Sequence, residues 1–210
     1  MNLLNFFLFS GIFLISAFSA LADYRPGLLF REDWAESPPE IPVNQDHVVH
    51  PDLILGLHGP GRDVIKKSNH DKPVDDPFYI WSGLCEGNWM VSLTPRNSLM
   101  DLTGHAKIRW RSKQAGFRQL RIVLELEDGT WLVSDASDGP SQDWRVKEFN
   151  VMDIRWRRLN LEDIRETRWA EDPDLSRVKS VGFTDLMRGG RSAACSRLDW
   201  IEVYGNKVEP

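Results

Sequence analysis

The residues best suited to chemistry lie between positions 70 and 89, where aromatic side chains follow a group of polar ones. They are His70, Asp71, Asp76, Tyr79, Trp81 and Trp89. Sugars present C–H faces that stack on aromatic rings, and their hydroxyl groups pair with carboxylates and imidazoles. The pattern predicts a sugar-binding surface on a rigid aromatic platform. The alternative is that the rings belong to the core and the polar residues to a solvated loop.

Arginines supply a second group of candidates. Arg118 and Arg191 stand beside glycines in predicted turns and are further candidate contacts for a sugar or an anion. Others occupy outward positions of predicted strands, namely Arg109, Arg111, Arg121, Arg155 and Arg157. Such a face could meet an acidic polysaccharide, but ion pairs with carboxylates on neighbouring strands are the favoured alternative.

Signatures of metal and cofactor sites are absent. The carboxylates near position 71 could coordinate Ca²⁺, yet the sequence lacks the D-x-D-x-D-G spacing of a calcium loop and the H-E-x-x-H spacing of a zinc site. We therefore predict no metal and no cofactor, with Ca²⁺ kept as an alternative.

Catalysis is a weaker hypothesis than binding. A glycoside hydrolase needs two carboxyl groups about 5 to 10 Å apart across the scissile bond, and Asp71, Asp76 and Asp135 are the available candidates. The sequence contains no nucleophile elbow, P-loop or dinucleotide fingerprint. These features favour a non-catalytic protein without excluding an enzyme.

An export signal is predicted at the N-terminus. Residues 1–22 carry no charged side chain, are mostly apolar, and end in Ala20-Leu21-Ala22, which suits signal peptidase. We expect cleavage there and a secreted or periplasmic protein without a stable membrane span. Because the first residues lack Lys and Arg, an uncleaved anchor is the alternative.

Two cysteines are compatible with export. Cys85 and Cys195 are the only cysteines, and an oxidising compartment allows them one intramolecular disulfide. We predict that bond. On the chain-entropy model, closing so long a loop would stabilise the folded protein by about 4 to 5 kcal/mol. Two buried free thiols are the alternative.

The elements that must position these residues are strands. The 210 residues are 41% apolar, enough for one core, and from residue 78 onward apolar residues recur with period two. Residues 106–111 alternate apolar with basic side chains, and Asp128-Gly129 centres a hairpin over 118–134. The sequence predicts an all-β, single-domain antiparallel β-sandwich, or jelly roll, of about eight to ten strands.

The remaining segments complete the predicted organisation. Residues 23–50 are rich in Pro, which predicts an extended lead-in with short strands. A sandwich domain is predicted over 51–205 and a tail over 206–210. The domain includes a long polar loop, 58–77. Residues 161–170 are the only helical candidate, with charged residues in helical register ahead of Asp172-Pro173.

The second half of the sequence resembles the closing strands of galactose-binding-like jelly rolls. The resemblance rests on Trp144-Arg-Val-Lys-Glu-Phe149, Trp156-Arg-Arg-Leu159, Val178 to Phe183, and Ser196-Arg-Leu-Asp-Trp-Ile-Glu-Val-Tyr-Gly205. That superfamily includes many carbohydrate-binding modules, so the resemblance implies a jelly roll and, more weakly, a glycan ligand.

Together these features favour an exported, lectin-like protein whose partner is a polysaccharide or other glycan. The net charge of −5 argues against a nucleic-acid partner, because proteins that bind the phosphate backbone usually present a net basic face. A glycan-acting hydrolase is one alternative. A periplasmic or surface assembly component without a sugar ligand is another.

Overall fold

The computed structural model describes residues 25–70, 78–84, 87–187 and 194–210, and alternation of apolar and polar residues is strictest in the strand over 107–114. The described residues form an all-β, single-domain antiparallel sandwich of the jelly-roll type, with short 3-10 turns at Gln45–His47, Arg62–Val64 and Val151–Asp153. The strands are β1 (Gly27–Glu32), β2 (Leu53–His58), β3 (Lys66–Asn69), β4 (Phe78–Trp81), β5 (Trp89–Pro95), β6 (Leu99–Asp101), β7 (Lys107–Gln114), β8 (Leu120–Leu126), β9 (Trp131–Asp138), β10 (Arg145–Asn150), β11 (Trp156–Asn160), β12 (Arg165–Trp169), β13 (Val178–Asp185) and β14 (Ser196–Val208).

Two sheets face each other. The first sheet has the order β3-β4-β14-β7-β10, and β1 pairs with β14 beyond β4. The second sheet has the order β12-β11-β9-β8-β13-β5-β2. The long strand β14 takes part in both, because its last residues pair with β6 at the border of the second sheet. Every one of these pairings is antiparallel.

The core lies between the sheets and follows from the alternation. In β7, Ile108 and Trp110 are fully buried, whereas Arg109 and Arg111 project from the opposite face. Ile122 and other apolar residues of the second sheet complete the same core. Each buried aliphatic side chain contributes about 1.5 to 3 kcal/mol, so this interface holds the first sheet in place and leaves its outer face available.

A buried carboxylate fixes the lead-in segment to the sandwich. Glu32, at the end of β1, is fully buried and accepts backbone N–H bonds from Trp34, Val49 and His50 at 2.8 to 3.0 Å. Burial raises the pKa of this carboxyl group above its ordinary value, against the opposing effect of the three hydrogen bonds. The lead-in therefore contains a strand and is anchored.

Several predicted boundaries were wrong. Strand β3 lies inside the segment predicted as the loop 58–77, and β14 continues to Val208, inside the predicted tail. The helical candidate 161–170 instead contains β12, which pairs with β11. Cross-strand pairing outweighs the weak helical register here, since Ile164, with a φ of 45°, turns the chain back on itself. The described residues also contain more strands than the eight to ten predicted.

Two predictions concern residues outside the described ranges. The signal peptide over 1–22 lies there, and so does Cys85, so cleavage and the disulfide stay predictions. Cys195 is fully buried just before β14, and no disulfide joins the described residues. In the described part of the chain, no helix is long and apolar enough to cross a membrane.

Candidate functional site

The two sheets differ in how their outer faces are covered. On the second sheet, the turn between β11 and β12 folds over the face, and Ile164 packs fully buried against Met90, Val123 and Trp131. The Asn88 amide holds this turn by donating to the backbone carbonyls of Asp163 and Ile164. The outer face of the first sheet, on the other side of the sandwich, is therefore the candidate surface for a ligand.

Three rings meet at one end of this face. The His70 ring stacks on Tyr79 with centroids 5.4 Å apart, and both contact Trp144, at 4.9 and 5.3 Å. Tyr79 is in β4 and Trp144 immediately precedes β10, so the side chains reach towards each other across β14 and β7. We call these three residues the aromatic cluster. The contacts hold the rings in fixed orientations. Tyr79 is only 8% exposed, so the half-buried rings of His70 and Trp144 are the ones with area available for stacking on a sugar.

An ion pair lies beside the aromatic cluster. The Arg111 guanidinium is 2.8 Å from the carboxylate of Asp199, which is fully buried, and it also lies 5.6 Å from the centroid of the Trp144 ring. The side chain of Arg111 is only 12% exposed. Charge pairing and ring contact together restrict this guanidinium to one position.

Paired charges line the middle of the face. Glu202 of β14 accepts from Arg31 at 2.9 Å and from Arg109 at 3.1 Å, and Arg109 also lies 3.3 Å from Glu148 of β10. The Arg31 guanidinium covers the Trp200 ring at 4.4 Å. Hydrogen bonds to two carboxylates raise the pKa of Arg31 above its ordinary value. The contribution of Asp33 is larger than that of Glu202. The middle of the face is therefore polar, with its charges largely neutralised within the protein.

The far end of the face opens into a cavity of about 420 Å³. Tyr204 of β14 and Lys107 of β7 line it, with the Lys107 ammonium 4.9 Å from the Tyr204 ring centroid. Glu148 and Asn150 of β10 add oxygen and nitrogen atoms able to meet hydroxyl groups. Rings at both ends and polar groups between them suit an extended ligand rich in hydroxyl groups.

The structure brings together only part of the predicted aromatic platform. His70 and Tyr79 lie in the aromatic cluster. Trp81 lies on the same face, half-buried, with the Lys66 ammonium 5.5 Å from its ring. Trp89 is not on this surface: it is 1% exposed and packs edge-on against Phe183 in the core.

The other predicted contacts are structural or lie elsewhere. Arg118 is buried, pairs with Asp185 at 3.2 Å, and donates to the backbone carbonyls of Ala194 and Met187, so its donors serve the fold. Asp71, Asp76 and Arg191 lie outside the described residues. Asp135 is exposed and accepts the backbone N–H of Arg155 at 3.0 Å.

The strand arginines mostly form ion pairs, as the favoured alternative expected. Arg109 and Arg111 pair as described above, and Arg121 pairs with Glu166 at 2.8 Å. Arg157 also lies 3.7 Å from Glu166. Arg155 and Arg157 both lie against the ring of Trp169, at 4.1 and 4.0 Å. Among the residues that the structure describes, no group of three or more His, Cys, Asp or Glu side chains could hold a metal ion.

Sequence analysis missed Trp144 as a site residue. The segment beginning at Trp144 was expected to be a strand, and alternation along it places Trp144 on the same side as Val146 and Glu148. In the register with β7, Val146 stands opposite Arg111 and Glu148 opposite Arg109, both of which point outward. That register could have identified Trp144, but it requires knowing which strands are neighbours.

Comparisons with known proteins complete the description. No protein-family model matches the chain, and no curated protein sequence matches it. Among solved structures, the chain is similar to the family 11 carbohydrate-binding module of the cellulosomal cellulase Lic26A-Cel5E of Clostridium thermocellum. The two are 16% identical with a TM-score of 0.42, and the match covers 82% of this chain and 97% of that chain. It is also similar to the carbohydrate recognition domain of Emp47p, with 8% identity, a TM-score of 0.37, and 88% and 96% covered. A third similar structure is the agarase AgWH50C, with 8% identity, a TM-score of 0.45, 82% of this chain covered and 25% of the agarase.

Proposed function

We propose that this protein is an exported, non-catalytic glycan-binding protein whose ligand lies along the outer face of the first sheet. The observation that carries the proposal is the aromatic cluster, which holds three rings together at one end of a polar face. A sugar ring stacked there would place its hydroxyl groups near the paired charges of β7 and β14.

The charge pattern indicates which glycans this face accepts. Arg31 pairs with Asp33 and Glu202, and Arg109 pairs with Glu148 and Glu202, so an anionic ligand would have to break an existing ion pair. Hydroxyl groups can instead donate to the carboxylates and accept from the guanidiniums without breaking the pairs. The face is therefore suited to a neutral polysaccharide.

Replacement of Trp144 tests this proposal. Trp144→Ala removes one ring of the aromatic cluster, and a stacked aromatic contributes about 1 kcal/mol, so we expect affinity for the preferred neutral glycan to fall about fivefold or more. Trp144→Phe keeps a ring and should retain most of the affinity. Affinity electrophoresis in gels containing a mixed-linked β-glucan, a β-galactan or an α-glucan measures the effect.

Thermal unfolding supplies a second measurement. A ligand of the native state raises the melting temperature by mass action, and the rise should be smaller for Trp144→Ala than for the wild type. If no neutral polysaccharide retards or stabilises the wild-type protein, the proposal is wrong and an assembly role becomes the better hypothesis. Release of reducing ends by the wild type would contradict the non-catalytic part alone.

A further inference from the structure

An exposed tryptophan stands at the edge of the second sheet, away from the outer face of the first. Trp169 is the last residue of β12, which ends the order of that sheet, and the side chain is 38% exposed. The guanidiniums of Arg155 and Arg157 lie 4.1 and 4.0 Å from its ring centroid. An exposed indole held beside two arginines is typical of a recognition surface more than of a core.

The two arginines differ in how many hydrogen-bond and ion-pair partners their guanidinium groups have within the described part of the protein. Arg157 donates to the carbonyl of Thr167 at 3.1 Å and lies 3.7 Å from Glu166. No carboxylate of the described residues lies within ion-pair distance of Arg155. A guanidinium stacked on a ring keeps its N–H groups directed outward in its own plane, where they match a carboxylate or a sulfate. The ring thus pre-positions the Arg155 donors.

The surrounding segment is rich in arginine. Within 155–169 these residues are Arg155, Arg157, Arg158, Arg165 and Arg168. Glu166 is shared between Arg121 and Arg157, and Asp163 pairs with Arg165. In the described ranges, Arg158 and Arg168 have no ion pair. With Glu162 also counted, five arginines and three carboxylates give 155–169 a net charge of +2, and the carboxylates of Glu171 and Asp172 follow directly.

A cavity lies directly against Trp169. Its volume is about 450 Å³, and Ile154, Arg155 and Pro173 line it together with Glu171 and Asp172. This volume lies in the range of small-ligand pockets. The two carboxylates can accept hydrogen bonds from sugar hydroxyls, while Arg155 meets an anionic substituent. The combination of ring, acceptors and open guanidinium fits an acidic sugar.

We infer that Trp169, Arg155 and Arg157 form a second glycan site, specific for polysaccharides that carry carboxylate or sulfate groups. This inference goes beyond the proposed function, since it concerns another face and another ligand class. A nucleic acid is disfavoured because the positive patch is confined to one hairpin of an acidic chain, whereas backbone binders gain affinity from an extended basic surface.

The test compares anionic and neutral polymers with matched variants. Affinity electrophoresis in gels containing alginate, which carries carboxylates, or carrageenan, which carries sulfates, should show retardation of the wild-type protein by at least one of them. We expect Arg155→Gln and Trp169→Ala each to weaken that binding about tenfold. Arg155→Lys keeps the charge but loses the planar fork, and should weaken binding by a smaller factor. Arg62→Gln, at an exposed arginine in the turn Arg62–Val64, is the charge-matched control and should bind as the wild type does.

The outcomes separate this inference from the proposed function. Loss of alginate or carrageenan binding by Arg155→Gln, with binding to the neutral polysaccharide retained, supports a second site even if Trp144→Ala has no effect. Unchanged binding in Arg155→Gln overturns the inference, and so does absence of retardation by both anionic polymers. Equal losses in Arg155→Gln and Arg62→Gln would show non-specific charge attraction and would also overturn it. Tighter binding to a DNA oligonucleotide than to either polymer would assign the patch to nucleic acid instead.

Discussion

The tetrapeptide Ile-Arg-Trp-Arg occurs twice in this chain, at 108–111 in β7 and at 154–157 leading into β11. In both places the tryptophan is buried and the arginines point away from the core. The β7 copy is a central strand, and its arginines are neutralised by Glu148, Glu202 and Asp199. The β11 copy lies beside the edge strand β12, and its arginines lie on Trp169.

The difference between the two copies comes from their neighbours. Alternation along a strand determines which side chains leave the core, and this is the same for both. The cross-strand partners determine whether an outward arginine is neutralised by a carboxylate or held by a ring with its donors open. One sequence pattern therefore yields a balanced polar surface in the first sheet and a basic, aromatic edge in the second.

Removal of a carboxylate partner should separate the two copies of the tetrapeptide most strongly. Asp199→Ala removes the fully buried carboxylate that pairs with Arg111, whose side chain is 12% exposed, so we expect the free energy of unfolding to fall by about 3 to 5 kcal/mol. The matched change at the hairpin is Glu166→Ala, which removes a carboxylate that is 38% exposed where Asp199 is fully buried, with an expected cost of about 0 to 1 kcal/mol. Urea unfolding of both variants measures the contrast. Equal losses would show that burial of the pair does not decide its contribution.

The two buried tryptophans of the repeated tetrapeptide should also differ. The Trp110 indole donates to the buried carboxylate of Asp138 at 2.9 Å, whereas the indole nitrogen of Trp156 is buried without a hydrogen-bond partner among the described residues. Trp110→Phe removes a hydrogen bond that the Asp138 carboxylate accepts. It should therefore lower the free energy of unfolding by about 2 kcal/mol more than Trp156→Phe does. Urea midpoints of the two variants at neutral pH check this. The opposite ranking would mean that packing volume outweighs the hydrogen bond.

Lys67 offers a third environment for a basic side chain, which is buried and has no carboxylate partner among the residues that the structure describes. It is fully buried in β3, donates to the Ser68 carbonyl at 3.3 Å, and lies 4.5 Å from the Phe78 ring centroid. Burial lowers the pKa of its ammonium group from an ordinary 10.5 to about 8. Since the unfolded chain binds this proton more tightly, stability attributable to Lys67 should rise between pH 8 and 10.5.

Lys67→Met removes that dependence. The variant should be more stable than the wild type at pH 7, by about 1 kcal/mol, and the difference should shrink as the pH rises through the same window. Urea midpoints from pH 7 to 10.5 provide the measurement. Parallel profiles for the two proteins would show that Lys67 is not the responsible group.

Replacement of Arg155 should have the smallest effect on the free energy of unfolding. Arg155 has no ion pair among the described residues, so Arg155→Gln should change the free energy of unfolding by no more than about 0.5 kcal/mol. Arg109→Gln in β7 removes a partner of both Glu148 and Glu202 and should cost more. Thermal melting of both variants at low and high salt tests this. A large loss in Arg155→Gln would show that the hairpin arginine serves the fold.

The sequence predicted the sandwich well because alternation and turn residues are local signals. It predicted the site only in part. His70 and Tyr79 meet as expected, but Trp89 packs in the core and Trp144, distant in sequence, takes its place. The reason is that neighbouring positions in the chain do not define a surface when β14 inserts between β4 and β7. Likewise, nothing local distinguishes Arg109 from Arg155.

Strand β14 has a consequence for the order in which the fold can be completed. Its thirteen residues pair with β1, β4 and β7 in one sheet and with β6 at the border of the other. During synthesis, β14 therefore emerges about 90 residues after β7 and about 170 residues after β1, and both strands are unpaired with it until then. Such late, long-range pairing makes folding slow and leaves strand edges open in the meantime. Until β14 is available, those open edges are exposed to pairing with other chains.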